Sequence, residues 1–116
     1  VHDMDRSINF YNGILGMEII ERKVSPRGSQ LVFLRFPDAE CDLELCSFPN
    51  SGNVKVSRYL VHLAFQVQDL EQCMNKLQEA KIPITEGLIE TKGGTHFIFT
   101  EDPDEYKIEL MHCPDE

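Results

Sequence analysis

Hydrophobic residues recur along the chain in two patterns, one with the spacing of a helix and one that alternates as in a strand. The first helical pattern follows Asp3 or Asp5, either of which is a suitable N-cap, and Gly16 is a natural end for it. The second begins at the N-cap Asp69 and runs through Lys81. Strand-like runs, bounded by Gly, Pro, Asn and Asp, occupy residues 17–24, 30–36, 41–48, 61–67, 84–90, 96–100 and 106–111.

The two halves of the sequence repeat one another. Residues 1–5 (VHDMD) recur as residues 67–71 (VQDLE), and residues 42–45 (DLEL) recur as residues 107–110 (KIEL). The two matches have nearly the same offset and the same order, which is difficult to obtain by chance in so short a chain. Such internal similarity indicates a fold built from two related modules.

The order of elements predicts an α+β fold of two βαβββ modules in a single domain. Module 1 comprises residues 1–48, a linker rich in turn residues comprises 49–60, and module 2 comprises 61–113. Module 2 shows all five elements, whereas module 1 shows only four. By the repeat, the opening strand of module 1 is expected upstream of Val1.

Composition and charge narrow the possible functions. Of 116 residues, 27% are charged, and the formal net charge is −9. Nucleic acids and anionic membranes are therefore poor partners, because both require clustered cations on the protein. No apolar run approaches the roughly 20 residues of a membrane-spanning helix. The four cysteines lack CxxC spacing, which favours reduced thiols in a cytoplasmic protein.

Three residues at repeated places could bind a metal. His62 lies early in the first predicted strand of module 2, Glu109 lies in the last, and Glu44 occupies the place in module 1 that matches Glu109. Taken singly, each Glu could be a solvated residue on the exposed face of a strand, and His62 could be a hydrogen-bonded core or surface residue. The recurrence of a Glu at the same place in both modules favours a shared cleft with a divalent metal, and a mixed N/O set suits Zn, Ni, Co, Fe or Mn. The repeat places a fourth ligand five residues before Val1.

Two stretches of sequence carry a family resemblance. Residues 5–11 (DRSINFY), closed by 15–17 (LGM), and residues 102–110 (DPDEYKIEL) resemble the opening helix and closing strand of the vicinal oxygen chelate superfamily. Within that superfamily the chain is most similar to the glyoxalase I family. Residues 92–95 (KGGT) resemble a loop of its short bacterial, nickel-type form. The resemblance covers almost the whole chain.

This resemblance implies a metal-dependent isomerase that converts the hemithioacetal of methylglyoxal and glutathione to S-lactoylglutathione. It implies that Glu44, His62 and Glu109 bind one divalent ion per site, together with the upstream His, with Ni or Co favoured and Zn possible. Glu109 would be the catalytic base and Glu44 its near-symmetric counterpart. The family's site is shared across a homodimer, with one half from each chain.

Substrate recognition and two alternative functions remain open at the level of sequence. Glutathione carries two carboxylates, and Arg58 and Lys92 are candidate cations for them, although a solvated linker Arg and a surface hairpin Lys are the simpler interpretations. One alternative is an epimerase acting on an acyl-CoA thioester such as methylmalonyl-CoA. The other is a non-catalytic member of the superfamily that binds a small molecule.

Overall fold

A computed structural model describes residues 1–50, 52, 54–57 and 60–114 of the chain. The chain divides into two compact units, Val1–Lys55 (unit 1) and Val56–Glu116 (unit 2). Their elements in chain order are α1 Met4–Ile8, a π-helix Asn9–Ile14, β1 Glu18–Val24, β2 Gln30–Arg35, β3 Leu43–Ser47, β4 His62–Gln66, α2 Leu70–Glu79, β5 Glu86–Glu90, β6 His96–Glu101 and β7 Lys107–His112.

Unit 2 is a four-stranded sheet with one helix packed on it. The strand order is β4-β7-β6-β5, in which β4 and β7 are parallel and the other pairs are antiparallel. The Asp69 side chain accepts a hydrogen bond from the Gln72 backbone N–H and so caps α2. The buried side chains of α2 and of the strands form the core, which includes Leu77, Ile98, Ile108 and Leu110.

Unit 1 combines a helical segment with the antiparallel sheet β1-β2-β3. Asp3 caps α1 by accepting a hydrogen bond from the Arg6 backbone N–H, in the same way as Asp69 caps α2. The expected α-helix continues as a π-helix, in which the Leu15 N–H donates to the Phe10 carbonyl five residues earlier. The helical segment ends at Ile14 with Leu15 as its C-cap, and Gly16 follows with a φ of +84°, which favours glycine, so the predicted stop at Gly16 is confirmed.

The last two strands of each unit pair in corresponding register, and the order of elements confirms the predicted α+β fold of βαβββ type. In unit 1, Phe33 of β2 pairs with Glu44 of β3, and in unit 2, Phe99 of β6 pairs with Glu109 of β7. Leu43 follows its partner Leu34 by nine positions, whereas Ile108 follows its partner Thr100 by eight. The one-residue change of offset between the two sequence matches therefore lies in the turn between β2 and β3.

The second helix and strands β1 to β5 are shorter than the sequence runs that predicted them, whereas β6 extends one residue further than predicted and β7 is displaced by one residue. The helix predicted through Lys81 ends at Glu79, and the strand predicted for residues 84–90 begins at Glu86. Lys81 has a φ of +59°, which a helix cannot contain. Within the described part of the chain, none of the helices has the length and apolar character needed to cross a membrane.

Candidate functional site

His62 and Glu109 come together on the two parallel strands of unit 2. Ala64 of β4 is the register partner of Glu109 of β7, and His62 lies two residues earlier on the same face. His62 Nε2 lies 3.4 Å from Glu109 Oε1. The His62 side chain is 48% exposed and that of Glu109 is 16% exposed. The structure thus forms a mixed nitrogen and oxygen pair that is accessible from one side.

An aromatic ring and an amine adjoin this pair. Phe99 lies directly opposite Glu109 in the register, and its ring meets the His62 imidazole edge to face, with centroids 5.9 Å apart. Lys107 Nζ lies 4.2 Å from the centroid of the Phe99 ring, a cation–π distance. Local sequence patterns do not encode these contacts, although strand alternation places Lys107 and Glu109 on one face.

A tight turn fixes the start of the strand that carries Glu109. The buried Asp102 accepts hydrogen bonds from the backbone N–H groups of Asp104 and Tyr106, each at 2.9 Å. Glu105 has a φ of +67°, in the left-handed region, and its N–H donates to the Asp102 carbonyl. This turn sets the register in which Lys107 and Glu109 enter the sheet.

A cavity of about 250 Å³ opens at the same end of the unit 2 sheet. The lining includes the amine of Lys107 and the carboxylates of three glutamates. The other lining residues precede β4 or β5 in the chain. The full lining comprises Val56, Ser57, Val61, Thr85, Glu86, Glu101, Glu105 and Lys107. The cavity therefore combines both charge signs beside the strands that carry His62 and Glu109.

Glu44 occupies the equivalent position in unit 1. It is exposed on β3, opposite Phe33, and the Cys46 thiol donates to its Oε1 at 3.4 Å. Burial, and then the hydrogen bond to Glu44, raise the pKa of the Cys46 thiol above its usual value. The thiol is therefore protonated at neutral pH, in the form that donates to the carboxylate.

Of the two predicted substrate-binding cations, Lys92 is not brought to the His62–Glu109 pair. Arg58 lies outside the described residues. Lys92 is exposed in the turn between β5 and β6, which is closed by a hydrogen bond from the Gly94 N–H to the Thr91 carbonyl. This turn adjoins the start of β6, whereas the register places His62 level with Lys107, whose partner Glu101 ends β6.

A match to a known protein family is consistent with this fold and this pair of residues. The family model of the Glyoxalase/Bleomycin resistance protein/Dioxygenase superfamily matches residues 1–110. The chain belongs to this superfamily.

Two curated relatives of this glyoxalase superfamily member are named lactoylglutathione lyase. Lactoylglutathione lyase of Haemophilus influenzae is 34% identical over 115 residues, which cover 96% of this chain and 85% of the relative. Lactoylglutathione lyase of Escherichia coli O157:H7 is 32% identical over 119 residues, which cover 99% of this chain and 88% of the relative. These relatives support an enzyme of the glyoxalase I type.

Solved structures of the superfamily agree with this assignment. The trypanothione-dependent glyoxalase I of Leishmania major is similar with a TM-score of 0.78 and 31% identity, over 97% of this chain and 80% of that one. Glyoxalase I of Zea mays is similar with a TM-score of 0.84 and 26% identity, over 99% of this chain and 42% of that one.

The donor atoms in unit 2 of this superfamily member fit a divalent metal. An imidazole nitrogen and a carboxylate oxygen converge at the His62–Glu109 pair, and borderline divalent cations bind both donor types. No group of three or more His, Cys, Asp or Glu side chains is arranged to hold a metal in residues 1–50, 52, 54–57 and 60–114. His62 and Glu109 would thus supply two ligands, and a complete site needs further donors.

Proposed function

We propose that the protein is a metal-dependent isomerase that converts the hemithioacetal of methylglyoxal and glutathione to S-lactoylglutathione. The observation that carries the proposal is the 3.4 Å pair of His62 Nε2 and Glu109 Oε1. The equivalent register of Glu44, opposite Phe33, supports it. Relatives named lactoylglutathione lyase cover nearly the whole chain and support the same reaction.

Glu44, His62 and Glu109 are the proposed ligands of one divalent ion per site, with Ni or Co favoured and Zn possible. A bound divalent ion would act as a Lewis acid toward the substrate oxygens. The shared geometry of Glu44 and Glu109, each opposite a Phe in its own sheet, supports equivalent roles for the two carboxylates.

Glu109 is the proposed catalytic base. The reaction moves a proton from one carbon of the hemithioacetal to the neighbouring carbon, and the hydroxyl proton on the first carbon to the carbonyl oxygen on the second, so no external redox partner is needed. A carboxylate that accepts and returns the carbon-bound proton accounts for the first of these two transfers. The Glu109 side chain is only 16% exposed, which limits exchange of that proton with water. Phe99, which packs against His62, extends the apolar surface around the reacting carbons.

Binding of the thiol requires cations for its two carboxylates. Arg58 and Lys92 remain proposed for this role from the sequence, although Lys92 lies at the β5–β6 turn. Lys107 is a further candidate, because its amine lies over Phe99 on the face that carries His62 and Glu109. Its ammonium could neutralise a substrate carboxylate while the ring holds the lysine stem.

The direct test is an assay of the full-length protein with methylglyoxal and glutathione after addition of Ni²⁺ or Zn²⁺. We expect the ultraviolet absorbance of a thioester to increase with either ion, and to stop increasing when a chelator removes the metal. The absence of thioester with both metals would contradict the proposal and would favour an epimerase or a binding protein.

A second experiment tests whether each site is shared between two chains of a homodimer. Glu44→Gln and Glu109→Gln chains, each inactive alone, are expected to recover about a quarter of the unmodified activity when mixed in equal amounts and allowed to exchange. Half of the dimers are then mixed, and each mixed dimer holds one intact pair of carboxylates from opposite chains. Activity that stays at the level of the separate variants would instead indicate sites formed within one chain.

A further inference from the structure

Two histidines that the proposed reaction does not use lie side by side at the other end of the unit 2 sheet. His96 begins β6, His112 ends β7, and the register pairs them directly. Side chains directly opposite each other on antiparallel strands have Cβ atoms about 4.5–5.5 Å apart. By strand alternation the two imidazoles share the face of the fully buried Ile98 and Leu110, so they lie on the opposite face of the sheet from Glu109.

The two imidazoles line a cavity of about 430 Å³ between the sheet and the first turns of α2. Apolar side chains and two carboxylates complete its lining, which comprises Gln68, Asp69, Leu70, Glu71, Met74, Leu88, His96 and His112. The His96 side chain is 39% exposed, so an ion can reach it from solvent. None of the described residues that line this cavity is a Lys or an Arg, and no cationic side chain of the lining would therefore repel a metal ion.

The ring of His112 is oriented as metal-binding histidines usually are. His112 Nδ1 lies 3.3 Å from the Val67 carbonyl oxygen, and since a carbonyl can only accept, Nδ1 carries the hydrogen. This leaves the lone pair on Nε2. A metal-ligating histidine typically donates its other ring N–H to a carbonyl or a carboxylate, which fixes both its tautomer and its orientation.

A carboxylate adjoins the second imidazole. Glu90 of β5 is the register partner of His96, and Glu90 Oε1 lies 3.6 Å from His96 Nε2. The row Glu90–His96–His112 thus crosses three neighbouring strands. The negative charge of the Glu90 carboxylate favours a cation close to the imidazoles.

The equivalent positions of unit 1 contain no such pair. Gln30 and Ser47 begin β2 and end β3, and they are register partners, as His96 and His112 are in unit 2. The paired imidazoles are therefore a property of unit 2 and not of the repeated fold.

We propose that His96 and His112 form a second transition-metal site, separate from the His62–Glu109 pair, that takes Cu²⁺, Ni²⁺ or Zn²⁺ through one ring nitrogen of each imidazole. Imidazole ligands suit these borderline cations, whereas Mg²⁺ and Ca²⁺ take oxygen ligands. With two protein ligands, water completes the coordination. Binding is strongest for Cu²⁺, in accordance with the usual order of divalent affinities.

Equilibrium dialysis of the full-length protein against Ni²⁺, followed by elemental analysis, measures this site. His96→Gln and His112→Gln are each expected to weaken Ni²⁺ binding at one site at least about 10-fold, because loss of even an outer-shell partner of a ligating histidine costs about 10–100-fold. His2→Gln is the matched control: His2 is exposed, its Nδ1 contacts the Gly52 carbonyl, and its replacement leaves Ni²⁺ binding unchanged.

A second measurement locates the ion in the unmodified protein and does not depend on the folding of a variant. Substoichiometric Cu²⁺ is expected to broaden the backbone amide NMR signals around His96 and His112, in addition to any around His62. Each glutamine variant should lose the first set of effects and retain any at His62.

Two results would overturn the proposal. One is that the His96→Gln and His112→Gln chains, with unchanged thermal unfolding, bind Ni²⁺ as the His2→Gln chain does. The other is that the signals of residues 96 and 112 remain sharp with Cu²⁺. Neither result bears on the isomerase, whose failure would appear in the thioester assay and would leave this metal binding intact.

Discussion

Replacement of Glu109 by Gln is expected to lower kcat/KM for the methylglyoxal–glutathione adduct at least about 1,000-fold, since proton transfer by a positioned base contributes typically 10²–10⁴-fold. Glutamine has nearly the same size and hydrogen-bonds to His62, but it cannot accept the proton. Because the substituted side chain is also a proposed metal ligand, the bound metal should be measured in the same samples. Initial rates of thioester formation at saturating Ni²⁺ give the effect.

The control for this experiment is Glu79→Gln. Glu79 is exposed at the end of α2, and its replacement removes the same charge without touching the sheet face that carries Glu109. We expect it to leave kcat/KM within about 2-fold of the unmodified value, because exposed surface substitutions have small effects. A Glu109→Gln chain that retains a tenth or more of the activity would refute the assignment of Glu109 as the base.

Replacement of Leu110 by Ala is expected to lower the free energy of unfolding by about 2–5 kcal/mol. Leu110 is fully buried in β7, next to Glu109, so the truncation leaves a cavity among close-packed neighbours. Against a typical domain stability of about 5–15 kcal/mol, this loss is large. Urea unfolding followed by circular dichroism would measure it as a lower transition midpoint.

Leu60→Ala is the matched control for this truncation. Leu60 is 81% exposed, and the same change of side chain there is expected to alter the free energy of unfolding by less than about 0.5 kcal/mol. A loss below about 1 kcal/mol for Leu110→Ala would mean that the β7 core position is not close-packed.

The repeat and the strand alternation were sufficient to predict the fold class and the face of the candidate site. Glu44 and Glu109 recur within matched four-residue runs, and alternation separates them from their buried neighbours. Pairing register, however, depends on contacts between distant segments, which local patterns do not encode. For this reason the sequence predicted a shared face for Lys107 and Glu109 but not the contact of Lys107 with Phe99.

The same limit explains the residues that sequence reasoning placed poorly or missed. The two glycines beside Lys92 predicted a turn, and a turn is present, but only the register shows that it adjoins His96 and not His62. The pairing of His96 with His112 likewise joins residues 16 positions apart in the sequence. Residue types alone gave no reason to consider them together.

The π-helix Asn9–Ile14 differs from the prediction in the type of helix and not in its presence. Tyr11 and Ile14 lie three residues apart, a spacing that fits an α-helix, and both are buried in the observed π-helix. The hydrogen bond from the Leu15 N–H to the Phe10 carbonyl identifies the wider turn. Local hydrophobic periodicity was therefore correct for a helix and insufficient for its type.

The parallel pairing of β4 with β7 has a consequence for how an active molecule arises. His62 opens the first strand of unit 2 and Glu109 lies in the last, yet the two strands are neighbours. Pairing of such distant segments is intrinsically slow, because bringing the ends of the long intervening segment together costs conformational entropy before the contacts form. A nascent chain emerging from the ribosome therefore exposes the imidazole before its carboxylate partner exists, and the proposed site forms only when synthesis and folding of this half are complete.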